Sequence, residues 1–188
     1  MSPVSAEEAA AVLRDGGVVL VPTETVVGLV AARVAPLNEI KGSDPGKPLA
    51  LLCASTEEAF SLASRVPPIA RALAETYWPG PLTLVLDRRG GGTVGVRVPA
   101  GAVVGVLRAY GGPLYATSAN PSGGRAPRAI GEVDAGVAAA ADLVVPGEPG
   151  SGEASAVVDL SGRQARLLRE SRTLTGETLC RLTGGLTG

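Results

Sequence analysis

Residues 18–25 read Val-Val-Leu-Val-Pro-Thr-Glu-Thr. An unbroken run of β-branched and aliphatic side chains describes a strand buried on both faces, and Pro22 stops it because proline has no N–H to give to a sheet ladder. The expected product is a buried strand that carries Pro22, Thr23, Glu24 and Thr25 to the sheet edge, where functional polar residues tend to sit.

Working outward, Ser5 and Glu8 have capping-box spacing and Ala9, Val12 and Leu13 recur at helical intervals, which predicts a helix to about Arg14, ended by Asp15-Gly16-Gly17. A loop rich in Gly, Pro, Asp and Lys, from Lys41 to Pro48, leads to a strand from Leu49 to Leu52, and Ser55 with Glu58 gives a second capping box. Pro67-Pro68 open a helix bearing Ile69, Leu73 and Tyr77, which Trp78-Pro79-Gly80-Pro81 breaks. Strands from Leu82 to Leu86 and from Val94 to Val98 flank a Gly-rich hairpin loop. A helix from Val103 to Ala109 then leads into a strand from Leu114 to Ala116, which opens onto Thr117-Ser118-Ala119-Asn120-Pro121-Ser122-Gly123. The Ala tract from Val137 to Ala141 reads as helix. Strands are expected from Asp142 to Val145, Ala156 to Leu160 and Ala165 to Arg169, with a short closing helix from Gly176 to Leu182. Strands interleaved with helices predict an α/β fold, and the strands adjacent in sequence add antiparallel pairs, so the sheet should be mixed.

The 188 residues fit one domain, 1–188, and the hydrophobic 45% is almost all Ala, Val and Leu, with aromatics at 3%. A net charge of −1 excludes a generally basic nucleic-acid coat, so any RNA contact must be local. The chain has no His, and Cys53 and Cys180 lie far apart, so the usual zinc sites and His-based triads cannot be assembled. Neither a leader pattern at the N-terminus nor an apolar stretch of about 18 residues is evident, which points to a cytoplasmic protein without a membrane span.

Four clusters combine hydroxyls, small residues and isolated cations: Pro22 to Thr25, Lys41 to Lys47, Thr93 to Arg97, and Thr117 to Ser122. These are the ingredients of an anion or phosphate site, and equally of ordinary turns. Lys41 and Lys47 flank a loop that wraps a polyphosphate or is simply solvated. Arg97 closes the aliphatic strand Val94-Gly95-Val96-Arg97-Val98, where a buried guanidinium needs a ligand or an acidic partner. Arg169 follows Leu167-Leu168 and faces a site or pairs with a carboxylate such as Glu170. Glu24 serves a site or caps a neighbouring backbone.

The clusters, in this order, resemble the YrdC-like family of threonylcarbamoyl-AMP synthases. The carriers are Pro22-Thr23-Glu24-Thr25-Val26-Val27-Gly28-Leu29, Trp78-Pro79-Gly80-Pro81-Leu82-Thr83, Val94-Gly95-Val96-Arg97-Val98-Pro99, Thr117 to Gly123, and Ala154-Ser155-Ala156-Val157-Val158-Asp159-Leu160 with Leu167-Leu168-Arg169. The resemblance implies a twisted mixed sheet with flanking helices and a concave ligand-binding face. It implies that Thr25, Arg97, Ser118 and Ser155 contact threonine or its carbamate. Lys41, Lys47, Thr93, Ala116, Ala126 and Arg169 match positions around ATP. The implied chemistry joins L-threonine, bicarbonate and ATP, with Mg2+ carried on the nucleotide and no protein metal site. The product then passes to downstream threonylcarbamoyl-transfer proteins acting on tRNA, and a tRNA or double-stranded RNA contact is a further implied partner. The competing reading is a paralogue that binds nucleotide or RNA without threonine-dependent turnover. Three departures bear on it. Ser43 stands where the family carries a phosphate-binding arginine, Val27 replaces a tyrosine, and the short spacing from Gly28 to Lys41 predicts that the family's intervening helix is largely missing.

Overall fold

A computed structural model describes residues 4–42 and 48–184. Helix α1 (Ala6–Arg14) starts at a complete capping box, with the Ser5 hydroxyl accepting from Glu8 N and the Glu8 carboxylate accepting from Ser5 N at 2.7 Å. It leads into β1 (Val18–Pro22), every residue of which is buried, as its composition requires. The chain then reverses into β2 (Val27–Ala31), which pairs antiparallel with β1. The Thr23-Glu24-Thr25 segment is therefore a hairpin turn between two buried strands rather than a strand end at the sheet edge. Thr23 builds the turn with its own hydroxyl, which donates to Val26 O at 2.8 Å and accepts from the N–H groups of Thr25 and Val26 at 3.2 Å.

Helix α2 (Val34–Lys41) occupies the stretch where the helix was expected to be largely missing. Two turns fit because Pro36 falls in the first turn, where its absent N–H has no partner to lose, and Leu37 and Lys41, four apart, both turn inward. Gly42 ends it in the left-handed region at φ 56°. The remaining elements are β3 (Ala50–Leu52), α3 (Thr56–Ser61), α4 (Pro68–Tyr77), β4 (Leu82–Asp87), β5 (Thr93–Arg97), α5 (Val103–Tyr110), β6 (Leu114–Ser118), α6 (Ala135–Ala139), β7 (Leu143–Val144), β8 (Ala156–Asp159), β9 (Arg166–Arg169) and α7 (Gly176–Gly184). At α3 the second capping box is half formed. Ser55 accepts from Glu58 N, but the Glu58 carboxylate reaches Ala54 N instead of the N-cap. Strand β6 runs two residues further than the sequence suggested, so Thr117 and Ser118 belong to the sheet.

The nine strands of the described residues form one sheet in the order β7-β1-β2-β6-β3-β5-β4-β8-β9. The pairs β1/β7, β3/β5 and β4/β8 are parallel and the other five antiparallel, which is the mixed sheet expected. Strands β1 and β2 are covered on both faces. Val19, Val21 and Val30 pack with Leu13 of α1 and Val106 and Leu107 of α5, whereas Val18, Leu20 and Leu29 pack with Leu37 of α2 and Val137 of α6. Strands β4, β5 and β8 are covered on one face only. Leu82, Leu84, Leu86, Val94, Val96, Ala156 and Val158 point to Leu73 of α4, Ala59 of α3 and Leu179 of α7. Each such leucine contributes about 1.5–3 kcal/mol by leaving water. The alternate residues of the same strands, including Thr83, Val85, Gly95, Arg97 and Val157, face an open cleft. No helix among the described residues is long and apolar enough to cross a membrane.

Candidate active site

The cleft has a volume of about 730 Å³. Its floor is the uncovered face of β3, β4, β5 and β8, and the β1–β2 turn, β6 and β9 form its walls. The pleat sends every second side chain there, so Thr93, Gly95 and Arg97 of β5 line up beneath it while Val94 and Val96 pack beneath the sheet.

Arg97 is only 7% exposed. Its Nε donates to Gly80 O at 3.1 Å, and its Nη2 donates to Glu24 Oε1 at 2.6 Å and to Thr25 Oγ1 at 3.0 Å. Gly80 O also accepts from Leu82 N at 2.9 Å, and the loop that carries it runs so close to the end of α4 that a Cβ on Gly80 would lie 2.5 Å from Tyr77 O. The acidic partner demanded by a buried arginine is therefore Glu24. The same carboxylate also caps backbone, accepting from Ala100 N at 2.9 Å, which is the capping reading of Glu24. Thr25 is buried, its hydroxyl shared between Thr23 Oγ1 at 2.8 Å and Arg97.

A second group lies at the other wall. Ser155 is buried, and its hydroxyl sits 3.0 Å from Thr83 Oγ1. Arg169, at the rim, donates from Nε to Ser155 O at 2.7 Å and from Nη2 to Ser155 Oγ at 3.3 Å. Burial, and then the nearby positive charge of Arg97, lower the Arg169 pKa below the usual arginine value. The surface pairing of Arg169 with Glu170 does not form. Glu170 instead accepts from Gly176 N at 2.9 Å. Two guanidiniums that feel each other across a cleft make it attractive to an anion.

Ser118 and Ala116 of β6 line the cleft, as does the exposed Thr93. Lys41 stands behind them rather than in the lining. Its Nζ donates to Ser118 O at 2.7 Å and to Asn120 O at 2.6 Å, tying the end of α2 to the end of β6. Asn120 holds its own loop by donating to Pro121 O and Gly124 O, and its buried Oδ1 accepts no hydrogen bond among the described residues. Ala126 is not in the lining. It precedes Pro127, whose carbonyl accepts from Val27 N at 2.8 Å. Lys47 and Ser43 lie outside the described residues. Among the described residues no group of His, Cys, Asp or Glu is arranged to hold a metal ion.

Two features escaped the sequence. Thr83 is the one hydroxyl in Leu82-Thr83-Leu84-Val85-Leu86, and its isolation in an apolar strand was the available signal. The second is a strap between β7 and β8 that crosses the β1–β2 turn. Gly150 N donates to Arg128 O at 2.8 Å, Ser151 N to Glu24 O at 2.9 Å and Gly152 N to Thr25 O at 2.7 Å. A Cβ on Gly150 would lie 2.7 Å from Thr23 O, so only glycine permits the crossing.

The Sua5/YciO/YrdC family model, described as "Telomere recombination", matches residues 11–171. The threonylcarbamoyl-AMP synthase of Halorhodospira halophila is 38% identical over 185 residues, covering 89% of this chain and 95% of that protein. The threonylcarbamoyl-AMP synthase of Pyrococcus abyssi is 36% identical over 86% of this chain, which spans 52% of that relative. Among solved structures, P. abyssi Sua5 complexed with L-threonine superimposes with a TM-score of 0.83 at 32% identity, over 95% of this chain and 57% of that one. E. coli YciO shares the fold, with a TM-score of 0.77 at 22% identity over 88% of each chain. On the span of the family model and the identity to these relatives, the chain belongs to the Sua5/YciO/YrdC family.

Proposed function

We propose that this chain is a threonylcarbamoyl-AMP synthase, forming threonylcarbamoyl-adenylate and pyrophosphate from L-threonine, bicarbonate and ATP within a single domain. The observation that carries the reading is the buried Arg97, bound on Nε and Nη2, with no partner for Nη1 among the described residues, at a cleft that it shares with Thr25, Ser118 and Ser155. A carboxylate ligand such as threonine satisfies that remaining nitrogen with a charge-assisted bond. Relatives named as threonylcarbamoyl-AMP synthases, and a Sua5 structure holding L-threonine, support the same assignment.

The chemistry balances without a protein nucleophile. The threonine amine adds to bicarbonate with loss of water to give the N-carboxylate, one oxygen of which attacks the α-phosphorus of ATP. The new P–O bond forms as the bond to pyrophosphate breaks. In a chain without histidine, rate then comes from alignment of the two reactants and from cations that meet the charge on the leaving group. Arg169 on the β9 wall, Thr93 on β5 and Ala116 on the β6 wall all belong to the lining, which supports a nucleotide lying across the cleft. Magnesium enters as part of the Mg·ATP substrate, which suits a cleft whose Asp159 is already engaged by Arg166 at 2.8 Å. The product is a reactive mixed anhydride, so a transferase acting on tRNA adenosine must consume it, which fits a protein working in the cytoplasm.

The test is pyrophosphate release from Mg·ATP and bicarbonate with and without threonine, with mass-spectrometric detection of the adenylate. Threonine-dependent product supports the assignment. Folded protein that binds ATP yet forms no such product refutes it.

A further inference from the structure

We infer that Glu24 is a positioning residue for the threonine carboxylate, acting through Arg97: it fixes the guanidinium so that Nη1 alone is offered to the cleft. The inference rests on the synthase reading above and goes beyond it by assigning a role to a residue that does not line the cleft.

A guanidinium has five N–H donors arranged in forks, and a carboxylate normally takes two of them in parallel. Here both forks are already engaged. Nε is spent on Gly80 O, and both hydrogens of Nη2 are spent on Glu24 Oε1 and Thr25 Oγ1. The two N–H groups on Nη1 have no partner among the described residues. The ligand carboxylate must therefore meet Arg97 on a single nitrogen and take its second contact from another donor in the cleft.

Glu24 is built to hold this arrangement and not to touch the ligand. It is absent from the cleft lining and instead borders a separate cavity of about 320 Å³ with Gly101, Ala102 and Glu148. Its Oε2 is anchored on Ala100 N and its backbone carbonyl on Ser151 N of the strap, so side chain and backbone are fixed from opposite sides. Its charge also offsets one of two neighbouring cations, since burial and then Arg97 lower the proton affinity of Arg169. Without Glu24, Arg97 would be free to rotate Nη2 toward the cleft and would face Arg169 uncompensated.

The test compares steady-state kinetics of Glu24→Ala and Glu24→Gln with the wild type, varying threonine and ATP separately. Glutamine keeps an acceptor for Arg97 but cannot also accept from Ala100 N. The expected result for Glu24→Ala is a KM for threonine raised at least tenfold with the KM for ATP within twofold, and for Glu24→Gln a smaller rise in the threonine KM alone. If the alanine variant does not fold, the glutamine variant decides. An unchanged threonine KM, or an equal rise in both KM values together with a lower melting temperature, overturns the positioning role and leaves an ordinary structural ion pair. Absence of threonine-dependent product from the wild type refutes the synthase reading instead.

Discussion

Replacing Gly150 by alanine tests whether the strap between β7 and β8 holds the Thr25 side of the cleft in place. The added Cβ would collide first with Thr25 O and would lie 2.6 Å from the Thr25 carbonyl carbon and 2.7 Å from Thr23 O, all backbone atoms that no rotamer change can move. Restoring an ordinary C···O separation of about 3.3 Å from the nearer Thr25 oxygen requires a retreat of roughly 0.9 Å. That displacement acts on three backbone hydrogen bonds at once, from Gly150, Ser151 and Gly152 to Arg128 O, Glu24 O and Thr25 O. At about 0.5–1.5 kcal/mol each, their weakening together costs about 2–4 kcal/mol. For a chain of this length the melting temperature should fall by about 10 °C. Thermal unfolding followed by circular dichroism reads this directly. Gly111→Ala is the control, because Gly111 has φ +82° but open space around it, so it reports conformational strain of about 1 kcal/mol without a clash. A Gly150→Ala protein that melts with the wild type, or no lower than Gly111→Ala, refutes the argument that close backbone approach fixes the turn.

Three further outcomes are expected. Arg97→Lys keeps the charge but loses the fork that reaches Gly80, Glu24 and Thr25, and should weaken threonine binding by about 1.5–3 kcal/mol, ten- to a hundredfold, in calorimetric titration; unchanged affinity refutes the assignment. The Cys53 thiol is pushed up to about 12, by burial and then by Glu58, whereas Cys180 is exposed. A disulfide reagent at mildly alkaline pH should therefore titrate one thiol in the native protein and two in denaturant, and two fast native thiols would contradict the packing around β3. Burial alone would raise the Asp159 carboxyl, but Ser161 and Arg166 outweigh it and hold it below the ordinary aspartate value of 3.8. A depressed folded pKa gives stability that is present above the unfolded pKa and is lost as pH falls through the folded one. Asp159→Asn should thus be destabilised in urea at neutral pH, with a gap to the wild type that closes at strongly acid pH; a gap independent of pH would show that the charge is not what matters.

Much of the architecture is written locally. Continuous aliphatic runs specify β1, the box of Ser5 and Glu8 starts α1, and Pro68 at the start and Trp78-Pro79 at the end bound α4, because burial period, caps and proline geometry act over a few residues. The chemistry of Arg97 was legible for the same reason, since a cation in an apolar strand must find an anion wherever it folds. Strand β2 was not legible, because Gly28 interrupts its apolar pattern and its partners β1 and β6 define it. Helix α2 hid behind Pro36 and the short interval before Lys41. What joins these pieces is long range. Glu24 meets Arg97 across 73 residues, Lys41 meets Ser118 and Asn120 across 77 and 79, and the strap folds back over the β1–β2 turn. Residue type states that a charge or an N–H needs a partner, but only strand order and register bring one particular partner within 3 Å of it, and those are set by how the whole sheet packs.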